Sequence, residues 1–115
     1  MSGSAWETDA IEPHRITFSS LEPVSHDPGV HDSEADVGGT RWALVVYEPG
    51  AGREEWCETP HSGIVLSGAL TYRFEDGRAP LTLGAGDGFA LPESPRHRGR
   101  NDGNEPARLF LIDAL

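Results

Sequence analysis

Apolar positions in this chain come in short runs, and the runs are rich in β-branched and aromatic residues: Trp42-Ala-Leu-Val-Val-Tyr47, Gly63-Ile-Val-Leu66, Ala69-Leu-Thr-Tyr-Arg-Phe74, Leu81-Thr-Leu83, Gly88-Phe-Ala-Leu91 and Arg108-Leu-Phe-Leu-Ile112. Turn formers separate them, at Glu48-Pro-Gly-Ala-Gly52, Ser67-Gly68, Glu75-Asp-Gly77, Gly84-Ala-Gly86 and Asn101-Asp-Gly-Asn104. Strands at such close, regular spacing predict an all-β sandwich or barrel of antiparallel strands. Within one run, Leu70, Tyr72 and Phe74 alternate with Thr71, Arg73 and Glu75, the period of a half-buried strand. Ser67-Gly68 reads as a tight hairpin turn between two runs. No stretch sustains the i, i+3, i+4 spacing of an amphipathic helix. Upstream, a short strand is expected near Ile16–Phe18. The segment from Ser25 to Gly39 is full of acids and turn formers, and it reads as a long surface loop.

A chain of 115 residues has room for one core. The division expected within it is an N-terminal strand and acidic loop over residues 1–40, followed by the β-barrel core over 41–115. The net charge is −10, which disfavours nucleic acid and anionic membrane as partners, because both reward a basic surface. Much of that excess lies in residues 1–40, with eight carboxylates against the single Arg15. All nine basic residues are arginine, so Schiff-base chemistry through lysine is excluded. No apolar run approaches the roughly 18 residues of a membrane helix. The acidic start MSGSAWETDAIEP lacks the pattern of a signal peptide, and one cysteine forms no intramolecular disulfide. A cytoplasmic protein is expected.

Two stretches carry the candidate chemistry. The first is Glu54-Glu-Trp-Cys-Glu-Thr-Pro-His61, which gathers the only cysteine, a histidine and three carboxylates. The second is Gly86-Asp-Gly-Phe-Ala-Leu-Pro92-Glu-Ser94-Pro-Arg-His97-Arg-Gly-Arg-Asn101. It resembles the C-terminal motif of the cupin superfamily, G-x5-P-x-G-x2-H-x3-N, at every anchor except Ser94, which stands in place of a glycine. Counting back from Gly68 against the first cupin motif, G-x5-H-x-H-x3-4-E-x6-G, places His61 at the family's glutamate, Cys57 at its second histidine and Glu55 at its first. The resemblance covers roughly residues 42–113. It implies a single cupin jelly-roll β-barrel, with a strand that begins at His97 and points this histidine into the barrel. Small cupins are commonly homodimers, and the resemblance implies the same here.

At the positions of the family's metal ligands the chain therefore has Glu55, Cys57, His61 and His97. Each is a residue type that binds metal. On a strand, Glu55 and Cys57 would share a face, and His61 would return after the Thr59-Pro60 bend. A thiolate with two imidazoles favours zinc, with iron, nickel or copper as other divalent candidates. Glu55 would serve as a fourth ligand or as a catalytic acid/base. Arg96, Arg98 and Arg100 alternate about His97 and are expected on the opposite face. His14, His26 and His31 fall in the acidic segment and read as solvated.

The leading expectation is a cupin that binds a divalent transition metal and acts on a small organic molecule. The alternative is a non-catalytic barrel that binds or senses a small ligand without metal. A third, weaker expectation makes Cys57 a nucleophile with a histidine as its base. Glu54, Glu55 and Glu58 speak against it, since negative neighbours raise a thiol's pKa.

Overall fold

The turn signals fall where the chain reverses. The computed structural model describes residues 13–114. Its strands, in chain order, are β1 (Val24–Asp27), β2 (Val30–Val37), β3 (Thr40–Tyr47), β4 (His61–Ser67), β5 (Ala69–Phe74), β6 (Leu81–Gly84), β7 (Gly88–Leu91), β8 (His97–Arg100) and β9 (Ala107–Ala114). A six-stranded sheet runs β1-β2-β3-β9-β4-β7 and a three-stranded sheet runs β6-β5-β8. Every pairing is antiparallel. The two sheets form the all-β cupin jelly roll that the motifs implied.

The core lies between the sheets. Val30, Val45, Val65 and Leu109 from the large sheet meet Leu70, Tyr72 and Leu83 from the small one. Each such side chain contributes about 1.5–3 kcal/mol when fully buried. Alternation works as expected along β5, where Leu70 and Tyr72 are buried while Arg73 is exposed. Thr71, on the other face, is also buried and shares a hydrogen bond with the Thr82 hydroxyl at 3.2 Å. The motif asparagine, Asn101, is fully buried and structural. Its Nδ2 donates to the carbonyls of Tyr47 (3.0 Å) and Glu105 (2.7 Å), and its Oδ1 accepts from Gly103 N (2.9 Å).

Three expectations change. Residues Ile16–Phe18 form no strand; a single 3-10 turn covers Phe18–Ser20, closed by Ser20 N and Oγ on the Thr17 carbonyl. Serine offers the backbone a local partner in place of a sheet. The segment from Ser25 to Gly39 is not a loop, since β1 and β2 occupy most of it. Gly29 (φ +79°) reverses the chain between them, and Gly38-Gly39 (φ +59° and +76°) reverses it before β3. β2 pairs with β3 along its whole length, from Val30 opposite Tyr47 to Val37 opposite Thr40. From Val24 onward, the stretch expected as an N-terminal strand and acidic loop supplies two strands of the large sheet. Its residues 1–12 lie outside the described residues.

The third change concerns Ser67-Gly68. β4 and β5 are not a hairpin: β4 pairs with β7 and β9, β5 with β6 and β8. The chain crosses from one sheet to the other at Gly68 (φ +74°), and a Cβ there would collide with the Pro106 carbonyl oxygen. The glycine marks a close backbone approach as well as a turn.

Candidate metal centre

Between β3 and β4 the chain runs beside β8 without becoming a regular strand. Gly52 bridges to Arg100 and Cys57 bridges to His97. Arg53 N donates to the Gly99 carbonyl at 3.0 Å, Cys57 N to His97 O at 2.7 Å and His97 N to Cys57 O at 3.0 Å. Backbone pairing therefore sets the cysteine directly against the motif histidine. His61 arrives from the other sheet, where β4 opens opposite Leu91. The three side chains meet at the junction of the two sheets, with one donor atom from each lying within 4.8 Å of the others.

His97 is 2% exposed. Neither of its ring nitrogens has a hydrogen-bond partner among the described residues. A buried imidazole left this way is destabilising unless something binds it. Around it are the edges of His61 (centroids 5.2 Å apart) and Tyr72 (5.7 Å). The sulfur of Cys57 lies 3.7 Å from His61 Nε2, and His61 Nδ1 lies 2.8 Å from Asp113 Oδ1. A carboxylate on the far nitrogen of a histidine is how metal-ligating imidazoles are commonly oriented. The donor set and the orphaned imidazole fit a soft divalent ion.

The same contacts set the electrostatics. The hydrogen bond with His61, assisted by the imidazole of His97, pulls the Cys57 thiol down to about 5 against the opposing effect of burial. Burial works against charge on His61, but Asp113 and Cys57 outweigh it and hold the imidazole at about 9. The acidic neighbours in sequence, Glu54, Glu55 and Glu58, are all exposed. The two imidazoles lower the thiol's pKa all the same, so the objection these carboxylates raise against a reactive thiol is outweighed.

Of the four residues expected at the site, Glu55 is the one outside this group. The chain bends at Glu54-Glu55, which breaks the alternation that would have aligned Glu55 with Cys57. Its carboxylate is exposed and lines the rim of a cavity of about 600 Å³ that leads to the three donors. Arg96 and Arg100 are exposed and pair with Glu75 (2.7 Å) and Asp102 (3.2 Å). Arg98 lies 4.2 Å from the Trp56 ring centroid and donates to the Glu54 carbonyl at 2.9 Å, which pins the segment that carries Cys57.

Other residues of the cavity escaped sequence reasoning. Asp113 is one; the inward positions of β9 are Ala107, Leu109 and Leu111, and a carboxylate next in that series is the available signal. Asp32 is another, 6% exposed and in phase with the buried Val30. Arg53 reaches it with one nitrogen 3.3 Å from both carboxylate oxygens, and His26 Nε2 lies 3.1 Å from Oδ2. Tyr47 adjoins Arg53, and burial raises its pKa, so it stays a neutral phenol. His26, Asp32 and Glu34 form a second group of potential donors, but its central carboxylate is already engaged by the guanidinium. His31 is held by Ser25 Oγ at 2.9 Å, and His14 is exposed.

Residues 43–113 match the family model of the cupin domain. The chain belongs to the cupin family. No curated protein matches it in sequence. Among solved structures, this cupin is similar to the polyketide cyclase RemF from Streptomyces resistomycificus, with a TM-score of 0.75 and 13% identity over 90% of this chain and 80% of that one. KdgF from Halomonas sp. gives 0.72 and 18%, covering 90% and 96%. A sugar phosphate isomerase of the cupin superfamily from Silicibacter pomeroyi gives 0.70 and 19%, covering 89% and 76%. At these identities the likeness is one of fold. No helix among the described residues is long and apolar enough to cross a membrane.

Proposed function

We propose that this cupin holds a divalent transition metal, zinc before iron, nickel or copper, through Cys57, His61 and His97, and acts on a small organic molecule in the cavity above it. The observation that carries the reading is the buried His97, with neither nitrogen hydrogen-bonded among the described residues, beside a thiol and a second imidazole within 4.8 Å. Three protein donors leave a coordination position for water or ligand. The ion would supply Lewis acidity and lower the pKa of a bound water. Asp113 orients His61 through Nδ1, leaving Nε2 to face the sulfur. Glu55, outside the donor group and exposed on the rim, is left to carry a proton to or from the ligand. Tyr47 and Tyr72, kept neutral by burial, offer hydroxyl groups to a ligand's polar atoms. The reading includes a cytoplasmic homodimer.

Elemental analysis of the protein from metal-replete growth, beside Cys57→Ser and His97→Ala, tests it. One metal per chain, lost in both variants, is expected. A wild type free of metal overturns the reading.

A second reading has its own observation. Cys57, His61 and Asp113 form a chain of thiol, imidazole and carboxylate, with contacts of 3.7 and 2.8 Å, the order used to activate a nucleophile. It predicts that iodoacetamide modifies Cys57 in metal-free protein near neutral pH, and that His61→Ala slows this by at least about 10-fold.

A further inference from the structure

The cavity's lining is unevenly charged. Asp27, Asp32, Glu34, Glu54, Glu55 and Asp113 face it, against Arg41, Arg53 and Arg98. Each guanidinium already has partners. Arg53 lies on Asp32 (3.3 Å) and near Asp27 (3.7 Å). Arg41 sits between Asp36 (3.1 Å) and Glu34 (3.7 Å). Arg98 is stacked on Trp56 and bonded to the Glu54 carbonyl. His26 and His61 face Asp32 and Asp113. Glu54 and Glu55 are the opposite case: both are exposed, and neither has an ion-pair partner among the described residues.

An anion that paired with Arg41 or Arg53 would have to break an existing ion pair and leave a carboxylate without its cation. Arg98 has no carboxylate partner among the described residues, but an anion on it would still enter a lining of six carboxylates. A cation can instead pair with Glu54 or Glu55 and disturb nothing. Low-dielectric walls concentrate such a field at the mouth of a cleft. A divalent ion held with Cys57 as thiolate adds one net positive charge, which leaves the lining negative. Buried His97 also lines the cavity, and its ring nitrogens, without a hydrogen-bond partner among the described residues, fit a bound ligand or its metal there.

We propose that the cavity selects a small organic cation, an amine that also carries hydroxyl or carbonyl oxygen, and refuses phosphorylated and carboxylate-bearing compounds. The selection rests on reading the cavity as a ligand-binding metal centre and adds the charge class of what it takes. Sugar phosphates, the class in the name of one structural neighbour, fall among those refused.

Four probes on one three-carbon frame but of different charge test this: serinol, glycerol, glycerate and glycerophosphate. Binding is measured by calorimetry or ligand-observed NMR at low ionic strength, with the full chain both zinc-loaded and chelator-stripped. Serinol is expected to bind at least about 10-fold more tightly than glycerophosphate, with the margin narrowing as salt is added. The double variant Glu54→Gln, Glu55→Gln should shrink the margin by about 3-fold or more with unchanged zinc content. Equal or tighter binding of either anion overturns the proposal, as does failure of all four probes to bind. An amine preference in protein that never binds metal upholds charge selection while removing the metal reading. One zinc per chain with a preference for glycerophosphate does the reverse.

Discussion

The two walls of the cavity are built on opposite principles. On the wall formed by Cys57, His61 and His97, donors converge and the ring nitrogens of one imidazole are left without a hydrogen-bond partner among the described residues. On the wall formed by β1, β2 and Arg53, each charge has a partner: Asp32 has Arg53 and the His26 imidazole, and Arg53 has Asp32 and Asp27. Both walls contain buried histidine, carboxylate or guanidinium groups, so burial of polar residues does not separate them. Satisfaction does. A wall whose groups complete one another stabilises the fold, and one whose groups do not is waiting for something else.

The comparison breaks most visibly at Asp32. Asp32→Ala leaves Arg53 half-buried with its main counter-charge gone, and a loss of about 3 kcal/mol in urea unfolding is expected, with metal content unchanged. If metal were lost along with stability, the two walls would not be independent. Asp113→Asn works on the other wall. The imidazole of His61 keeps its place but loses its carboxylate, and zinc affinity in a chelator competition should fall about 10- to 100-fold.

A pH series sharpens the contrast next. In chelator-stripped protein the Cys57 thiol, near 5, lies below the ordinary value of about 8.5, so its contribution to stability is complete above about 8.5 and is lost as pH falls toward 5. The His61 imidazole, near 9, lies above its ordinary value of about 6.5, so its contribution is complete below about 6.5 and is lost as pH rises toward 9. Metal-free protein should therefore be most stable between about pH 6.5 and 8.5 and weaken on both sides, as read by denaturant midpoints. Absence of the acid-side decline in Cys57→Ser assigns that limb to the thiol. The smallest effect expected is at His97. Because its nitrogens have no hydrogen-bond partner among the described residues beyond a weak contact with the Cys57 thiol, His97→Leu should change metal-free stability by less than about 1 kcal/mol, in either direction, while abolishing metal binding. A loss as large as that of Asp32→Ala would show that His97 has a structural partner.

Much of this was legible along the chain. The spacing of apolar runs located β3 through β7 and β9, and the motif around His97 located β8. Cys57, His61 and His97 were candidates by their register with a known pattern, and they do converge. Glu55 was placed by the same count, but the bend at Glu54-Glu55 sends its carboxylate to the rim. Counting assumes a regular strand, and this segment pairs with β8 only at Gly52 and Cys57. The hairpin of β1 and β2 was misread for a different reason. Its acids looked solvated because carboxylates are buried only when paired, and the partner of Asp32 is Arg53, 21 residues further on.

The sequence by itself determined the strand period, the class of fold and three residues able to bind metal, because each depends on local spacing or on a motif counted within one stretch of chain. Tertiary structure decided which carboxylates face inward, that Asp113 orients His61, and that every arginine of the cavity is already taken. A period of two says which residues share a face. Which face is the inside, and which charge waits there, depends on the strands that the fold brings alongside.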